Sequence, residues 1–438
     1  MMDRRKFLQN TGLALGASAI PFKGESKGAA VPASLDTWAD VRAQFSLNPG
    51  RIHMSQMLLA SHPLPVRMEI EKHRKNFDEN PVEYWENNWR TAEGIVQQAA
   101  GRYIQATPEE IALTDSTTMG LAILYNGLKL KPGDEILTST HDHYATEKSL
   151  EFAAAKSGAS IRRITLYQQP STFSIEEVVN AVSKGIQPGT RIVALTWVHS
   201  GTGVKLPIRA IADVISKANG QRNSADRIYF CVDGVHGLGI ENASMADLGC
   251  DFFAAGTHKW IFGPRGTGIL FARKDAQQMI APIIPSFDFD AYGSWLGLTD
   301  KVNFGEANSP GGFHSFENRW ALNVAFDFHM KIGKAKVEDH THHLSTLLKN
   351  GLASMKHIKL HTPVNVQLSA GINCFEVEGI KPDDVVKKLL EKNIIASSSP
   401  YKTSYVRLTP SMVNSEEEVM TSLKALENIK AQRKCNSN

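Results

Sequence analysis

The stretch IYFCVDGVHG, residues 228–237, decides the fold class. Its first six residues form an almost continuous apolar run that ends on Asp233 and enters a glycine-rich turn containing His236. Short apolar runs of this kind, repeated between amphipathic helices, are typical of parallel strands buried on both faces of a sheet. Ligands of such sheets collect beyond the carboxyl ends of the strands, so Asp233 is expected to face a binding site.

A lysine follows this strand by 26 residues, within the stretch GTHKWIFGPRGTG, residues 256–268. Lys259 stands between His258 and Trp260 and between two apolar runs, where its amine is poorly placed for solvation. Burial lowers the pKa of a lysine toward that of a nucleophilic amine. Taken singly, Lys259 could equally be a surface lysine and Asp233 a helix cap. The combination of the two favours a reactive site.

The alternation of short apolar runs with amphipathic segments extends over residues 111–233 and loosens after residue 271. A long helical pattern follows from about residue 320 to 352, and then a smaller mixed portion. We predict an α/β protein whose large domain, residues 101–305, has a mostly parallel sheet. A smaller C-terminal α+β domain would cover residues 306–438, and residues 31–100 would pack on both domains.

The first thirty residues resemble a twin-arginine export signal. Arg4 and Arg5 precede an apolar stretch, residues 11–20, that is too short to span a bilayer. A basic disordered terminus is the alternative. Because the twin-arginine route exports folded proteins, often with a cofactor in place, the leader predicts a periplasmic protein that loads a cofactor in the cytoplasm. No membrane span is expected once the signal is removed.

Charge and cysteine content argue against several classes of protein. The chain has 48 Lys and Arg against 45 Asp and Glu, and without the first thirty residues the two totals are equal. This balance provides no electrostatic basis for binding nucleic acid or anionic lipid. Four widely spaced cysteines, without a Cys-x-x-Cys pair, argue against a disulfide framework and a structural zinc site. We expect no metal.

The stretch LTDSTTM, residues 113–119, predicts a strand, a hydroxyl-rich turn and a helix. Backbone N–H groups at a helix start, together with hydroxyl donors, can hold a phosphate. By itself the pattern is equally that of ordinary N-capping. With Asp233 and Lys259, however, the set suits pyridoxal 5′-phosphate, a phosphorylated aldehyde whose pyridine nitrogen pairs with a carboxylate.

Together these motifs resemble the class V, fold-type I family of pyridoxal phosphate enzymes, of the isopenicillin N epimerase-like and aminotransferase kind. The resemblance rests on the spacing of Asp233, His236 and Lys259, on the GPRGTG stretch at residues 263–268, and on YVRLTP at residues 405–410. It implies the fold-type I transferase architecture. It also implies a homodimer with its sites between the subunits.

The resemblance further implies roles around the cofactor ring. Lys259 would be joined to the cofactor aldehyde and would later move protons. Asp233 would pair with the pyridine nitrogen, and His236 would lie near the ring. His143 matches the histidine that stacks on the ring in this family, with Tyr144 as the fallback.

Other positions would hold the phosphate and the substrate. Thr117, the backbone of Thr118 and His258 would bind the phosphate, and Ser200 would lie near the phenolic oxygen of the cofactor. Arg407 would receive the carboxylate of a small amino-bearing substrate through a bidentate pair.

Two positions depart from the family pattern. Gly256 stands where many relatives have a hydroxyl residue on the phosphate, so Thr257 or a partner subunit would have to supply that contact. The Gly-Thr pair that relatives contribute across the dimer is not evident in residues 303–312.

We expect an aminotransferase, with epimerisation as the first alternative and side-chain modification in periplasmic siderophore maturation as the next. Residues 396–404 precede Arg407 without a cysteine, which argues against cysteine desulfuration. An exported hydrolase or a binding protein without the cofactor is the alternative from another class. No Gly-x-Ser-x-Gly elbow supports the hydrolase, and the presence of Lys259 argues against a non-catalytic binding protein.

Overall fold

The computed structural model describes residues 34–430. Strands β1 to β13 are, in chain order, Ile52–His53, Ile111–Thr114, Glu135–Ser139, Ser160–Ile164, Thr190–Thr196, Tyr229–Asp233, Phe252–Gly256, Gly268–Ala272, Ile358–Leu360, Asn373–Val377, Ile394–Ile395, Ser397–Ser398 and Val406–Leu408. Helices α1 to α16 are Trp38–Ala43, Leu64–Glu79, Pro81–Asn88, Ala92–Ile104, Thr117–Gly127, Tyr144–Ser157, Ile175–Gly185, Ile208–Asn219, Met245–Leu248, Phe289–Trp295, Phe304–Asn308, Phe316–Trp320, Leu322–Ile332, Lys334–Ser354, Pro382–Leu390 and Glu416–Glu427.

The main sheet has seven strands in the order β2-β8-β7-β6-β5-β3-β4. Strands β7, β6, β5, β3 and β4 are parallel to their neighbours within this group. Strand β8 runs antiparallel to both β2 and β7. The predicted α/β class with a mostly parallel sheet is therefore confirmed.

Both faces are buried in the central strands of this sheet, whereas the edge strand β4 is partly exposed. In β6, Phe230 and Val232 belong to one apolar cluster, whereas Tyr229 and Cys231 belong to the cluster on the opposite face. Side chains alternate between the two faces along a strand, so a run without polar residues packs against helices on both sides. Asp233 ends this run at the edge of the sheet where the cavity lies.

A second sheet, in the order β12-β13-β10-β9, is antiparallel throughout. Helices α14, α15 and α16 supply apolar residues to the cluster around it, among them Leu348, Val385 and Val419. The short strand β1 pairs in parallel with β11, with Ile52 opposite Ile394, so the chain before the main sheet contacts its last third. Strand β13 carries Arg407.

The structure differs from the sequence pattern between residues 320 and 352. The predicted single helical stretch is divided into α13 and α14 at Gly333, whose φ of 101° lies in the region that favours glycine. The predicted domain boundary between residues 305 and 306 falls inside α11, which packs on β2. The proposed division into domains stays a prediction.

Among residues 34–430, no helix is both long enough and apolar enough to cross a membrane. Arg4 and Arg5, on which the predicted export signal rests, lie outside the described residues.

Candidate active site

Two of the predicted residues lie at the same edge of the main sheet. β6 ends at Asp233, and β7 ends three residues before Lys259. Because β6 and β7 are parallel neighbours, with Asp233 opposite Ala254, their carboxyl ends open on the same side. Both side chains line one cavity at this edge.

Asp233 is a buried carboxylate with spare acceptor capacity. Its side chain is 3% exposed and accepts the N–H of Val235 at 3.1 Å and the hydroxyl of Thr146 at 3.4 Å. Burial raises its pKa to about 6, against the opposing effect of the Lys259 ammonium. No lysine or arginine within the described part of the chain forms a salt bridge with it, so a protonated ring nitrogen would supply the missing partner.

The Lys259 amine loses its proton more readily than a solvated lysine does. Burial lowers the pKa of its amine to about 8, although Asp233 acts in the opposite direction. The amine nitrogen, Nζ, lies 3.3 Å from Nε2 of His236, and Nδ1 of the same ring accepts the indole N–H of Trp260 at 3.2 Å. A lysine with this pKa has an appreciable fraction of free amine at neutral pH, as attack on an aldehyde requires.

The turn between β2 and α5 provides donors for an anion. Ser116 caps the helix by accepting the N–H of Met119 at 3.1 Å, and the hydroxyl of Thr117 accepts the N–H of Gly256 at 2.7 Å. Thr117, Thr118 and His258 line the cavity at this end. Nδ1 of His258 is buried without a hydrogen-bond partner among residues 34–430. A phosphate at the helix start would meet free backbone N–H groups and this ring nitrogen.

A side chain at position 256 would crowd the phosphate end of the cavity. A Cβ on Gly256 would lie 2.9 Å from Oγ1 of Thr117 and 2.9 Å from Cε1 of His258. Thr257 does not replace the missing contact, because its buried hydroxyl is bonded to that of Thr267 at 2.6 Å and does not line the cavity. Of the two expected sources of that contact, Thr257 is therefore ruled out, and the partner subunit stays a prediction.

His143 and not Tyr144 lies at the cavity. His143 caps α6, with its Nδ1 accepting the N–H of Ala145 at 3.2 Å, whereas Tyr144 is 70% exposed and faces away. Asp142, which the sequence analysis missed, holds this loop. It accepts the N–H groups of Ser139 at 3.1 Å and of Thr196 at 2.8 Å, and so ties the ends of β3 and β5 together.

Arg407 is a buried cation with free donors. It is 2% exposed and donates to the Ser397 hydroxyl at 3.2 Å and to the carbonyls of Ser200 and Ser398 at 3.1 and 2.8 Å. A guanidinium has five N–H groups, so two remain for another acceptor. No carboxylate of the described residues pairs with it. A substrate carboxylate would supply that partner.

Tyr401 is a further cavity residue, from the loop that precedes Arg407. Its hydroxyl lies 2.7 Å from that of Ser200, and burial raises its pKa to about 12. The sequence analysis considered residues 396–404 only for their lack of a cysteine and did not assign Tyr401. Gly201 allows the close approach, because a Cβ there would lie 3.0 Å from the tyrosine ring.

Two histidines that the sequence analysis did not assign, His141 and His199, also line the cavity. His141 stacks on Tyr167 with ring centroids 4.1 Å apart, and the Tyr167 hydroxyl lies 2.8 Å from Nδ1 of His199. Burial lowers the pKa of His141 to about 4 and that of His199 to about 3, so both rings are neutral at pH 7. No local sequence pattern identified this cluster.

One group away from the cavity has the composition of a metal site. Glu241, Glu338 and His342 place one ligand atom each within 4.8 Å of one another. Glu241 is already paired with the Lys205 ammonium at 2.6 Å and with His342 at 2.8 Å. These contacts account for its buried charge without an ion.

All nine residues predicted for the site line this one cavity: Thr117, Thr118, His143, Ser200, Asp233, His236, His258, Lys259 and Arg407. Their chemistry fits pyridoxal 5′-phosphate. The carboxylate of Asp233 suits a ring nitrogen, the amine of Lys259 suits an aldehyde, and the orphaned Nδ1 of His258 suits a phosphate.

Residues 91–420 match the model of the aminotransferase class-V family. The chain belongs to this family. Membership of the class-V family confirms the predicted fold-type I architecture and the predicted cofactor, pyridoxal 5′-phosphate. The individual roles of the site residues stay predictions.

Curated relatives of this class-V chain carry several kinds of name, among them isopenicillin N epimerase, cysteine desulfurase and probable L-cysteine desulfhydrase. The chain is 24% identical to isopenicillin N epimerase from Amycolatopsis lactamdurans, over 78% of this chain and 84% of the relative. It is 27% identical to a probable cysteine desulfurase from Halalkalibacterium halodurans, over 75% of this chain and 80% of the relative. Among solved structures, a C-DES mutant with glycine covalently linked to its PLP cofactor has a TM-score of 0.79 and 22% identity. That match covers 88% of this chain and 99% of the solved chain, and it shows the shared fold.

Proposed function

We propose that this chain is a pyridoxal phosphate-dependent aminotransferase that acts on a small amino-bearing substrate with a carboxylate. One observation carries the proposal: the Lys259 amine, the Asp233 carboxylate and the Arg407 guanidinium line the same cavity. When bound, the cofactor supplies an aldehyde for the amine and an electron-poor ring that takes up an electron pair from the substrate's Cα.

Different residues of the cavity would hold different parts of the cofactor. Asp233 would keep a proton on the pyridine nitrogen, and the start of α5 with His258 would receive the phosphate. His143 would cover one face of the ring. Ser200, whose hydroxyl already pairs with Tyr401, would offer its oxygen near the phenolic side.

Arg407 and Lys259 would then act on the substrate. Arg407 would bind the carboxylate through its two free N–H groups and so orient the Cα–H bond. The Lys259 amine, with a pKa of about 8, would accept the Cα proton and deliver it elsewhere. A proton that Lys259 moves away from Cα would lead to amino-group transfer, whereas a proton that a second group supplies to the opposite face of Cα would lead to epimerisation.

The ionisable groups of the cavity favour transfer. Transfer needs one group that takes and gives a proton, and Lys259 fits that task. Epimerisation needs a second group on the opposite face. Burial raises the pKa of Tyr401 to about 12, so its hydroxyl is not adjusted for proton exchange near pH 7.

Epimerisation is the second candidate because two curated relatives are named isopenicillin N epimerase. The second of them, from Streptomyces clavuligerus, is 21% identical over 96% of its own length. Tyr401 is the residue of this chain that we would assign as the second proton-transfer group in that reaction.

Cysteine desulfuration is not proposed, although several relatives carry that name. Residues 396–404, the loop before Arg407, contain no cysteine. Cys374 lies opposite Arg407 in the second sheet but is fully buried, and burial raises the pKa of its thiol to about 12. A thiol in that state is not a nucleophile.

The reaction is tested by incubating the loaded enzyme with pools of amino acids in deuterated water. The cofactor absorbance and the masses of the products are followed together. Conversion of the cofactor to its amine form, with a keto product, is the result expected for transfer. Deuterium at Cα of recovered substrate, with the cofactor spectrum unchanged, would replace transfer by epimerisation.

We further propose a homodimer, supported by an exposed aromatic surface. Phe313 is 82% exposed and lies 6.0 Å from the ring of Trp85, which stacks on Trp89. Phe289, 46% exposed, continues this surface at 6.1 Å from Trp89. Such patches mark association surfaces. Sedimentation should show a dimer that Phe313→Asp weakens, and a fully active monomer would contradict the proposal.

Periplasmic export stays a proposal that rests on the sequence of residues 1–30 alone. Replacing Arg4 and Arg5 by lysine should keep the chain in the cytoplasm, as measured by cell fractionation. Unchanged export of that variant would contradict the twin-arginine route.

A further inference from the structure

A chain of two hydrogen-bond contacts connects a buried tryptophan to the reactive lysine. The indole N–H of Trp260 donates to Nδ1 of His236 at 3.2 Å, and Nε2 of the same ring lies 3.3 Å from Nζ of Lys259. Trp260 is 1% exposed and His236 is 5% exposed. Water therefore does not compete for the contact between Trp260 and His236, whereas the contact between His236 and Lys259 is part-buried.

The first contact determines where His236 carries its proton. An indole N–H is only a donor, so Nδ1 must be an acceptor and carries no hydrogen. Burial, together with the nearby cations Lys259 and Arg407, lowers the pKa of His236 well below its usual value, so the ring is neutral. A neutral imidazole has one proton, which is then on Nε2, the atom next to Lys259.

We propose that Trp260 is a positioning residue that holds His236 in the tautomer whose Nε2–H points at the Lys259 amine. The inference deepens the proposed function and rests on Lys259 being its reactive amine. An ammonium group can only donate hydrogen bonds, whereas a neutral amine can accept one. The Nε2–H of His236 therefore stabilises the neutral amine and opposes the ammonium.

Other charged or titratable groups act on Lys259 from the surrounding elements. They are Asp233 at the end of β6, Arg407 on β13, His143 at the start of α6, and the adjacent His258. Asp233 favours the ammonium and Arg407 disfavours it. None of these four contacts Trp260 through a hydrogen bond in the part of the chain that the structure describes. A change of the Trp260 indole N–H should therefore reach Lys259 through His236.

The test compares Trp260→Phe with the parent chain by competitive acetylation. The full chain, freed of cofactor, is labelled with acetic anhydride across a pH series, and the peptide containing Lys259 is quantified by mass spectrometry. Loss of the indole N–H lets the proton move to Nδ1, so Nε2 can accept from the Lys259 ammonium. The labelling midpoint should rise by about one pH unit, a tenfold loss of free amine, as expected for one buried hydrogen bond.

Trp320→Phe is the matched control, because Trp320 is also buried and its indole N–H has no partner within residues 34–430. It should leave the Lys259 midpoint unchanged. His236→Phe tests the route, since Trp260→Phe should cause no further shift in that background. An unchanged midpoint in Trp260→Phe, or an equal shift in the His236→Phe background, would overturn the proposal.

A second measurement needs no Trp260 variant. In histidine labelled with ¹⁵N, the His236 signals, assigned by their loss in His236→Phe, should show a protonated Nε2 and a bare Nδ1. A proton on Nδ1 would overturn the proposal even if Trp260→Phe fails to fold. Neither measurement uses bound cofactor. A chain that lacks the proposed enzyme activity would therefore still show whether Trp260 sets the tautomer of His236.

Discussion

In the cofactor-free chain, the free energy of unfolding should fall as pH rises because Asp233 is buried. Asp233→Asn should remove this part of the pH dependence. Asp233 is 3% exposed, and its carboxylate has no cationic partner in a salt bridge among the described residues. Its N–H donor from Val235 and its hydroxyl donor from Thr146 only partly replace water. The buried negative charge therefore lowers the free energy of unfolding. A protonated ring nitrogen would offset this loss when the cofactor binds.

The size of this cost follows from the pKa, which burial raises from 3.8 to about 6. Between these two values the folded state binds more protons than the unfolded state, so the free energy of unfolding falls as pH rises. The difference of about two pKa units corresponds to about 3 kcal/mol. The stabilisation is fully present below about pH 4 and is lost above about pH 6.

Urea unfolding of the cofactor-free chain at pH 4, 5, 6 and 7 measures this contribution. The parent should lose about 3 kcal/mol more than Asp233→Asn over that range, because the amide does not titrate. Asp142→Asn is the control: its carboxylate accepts donors from Ser139 and Thr196, so the amide should destabilise the chain at pH 7. If Asp233→Asn shows the same pH dependence as the parent, the reasoning about the buried charge is refuted.

Three further measurements test the substrate-carboxylate end of the cavity, its phosphate end and the Lys259 amine. Arg407→Ala should weaken carboxylate-bearing substrates by about 2–5 kcal/mol in kcat/KM, with little effect on cofactor affinity measured by fluorescence titration. Gly256→Ser should lower cofactor affinity at least about tenfold, because its Cβ would lie 2.9 Å from both Thr117 and His258. Attack of the Lys259 amine on added cofactor should speed up as pH rises through about 8, as stopped-flow absorbance would show. For Arg407→Ala, an equal loss of kcat/KM with substrates that lack a carboxylate would contradict the expectation. For Gly256→Ser the contradicting result is an unchanged cofactor affinity, and for Lys259 it is a reaction rate that does not depend on pH.

The central part of the site could be predicted because its signals are local. A strand buried on both faces leaves a continuous apolar run, so the carboxylate of Asp233 at its end is conspicuous. Lys259 is conspicuous for the same reason, between the apolar strands β7 and β8. Parallel neighbours then bring both residues to one edge, which requires no knowledge of distant packing.

The residues that were missed depend on contacts between distant segments. Tyr401 reaches Ser200 across 201 positions of sequence, and the stacking of His141 on Tyr167 depends on how β3 and β4 align. The hydroxyl of Thr257 turns toward Thr267, a choice that its immediate sequence does not contain. Side-chain pairs of this kind follow from the tertiary register, which hydrophobic periodicity does not encode.

The most direct test of the account is to reduce the purified enzyme with borohydride and map the modified peptide by mass spectrometry. The protein should be yellow before reduction, and the cofactor should then be found on Lys259. Lys349 provides an internal comparison, since burial also lowers its pKa to about 8 but its amine donates to the carbonyls of Pro363 and Val364 and to Ser369. Cofactor on Lys349, or a colourless protein that takes up no pyridoxal phosphate, would contradict the account.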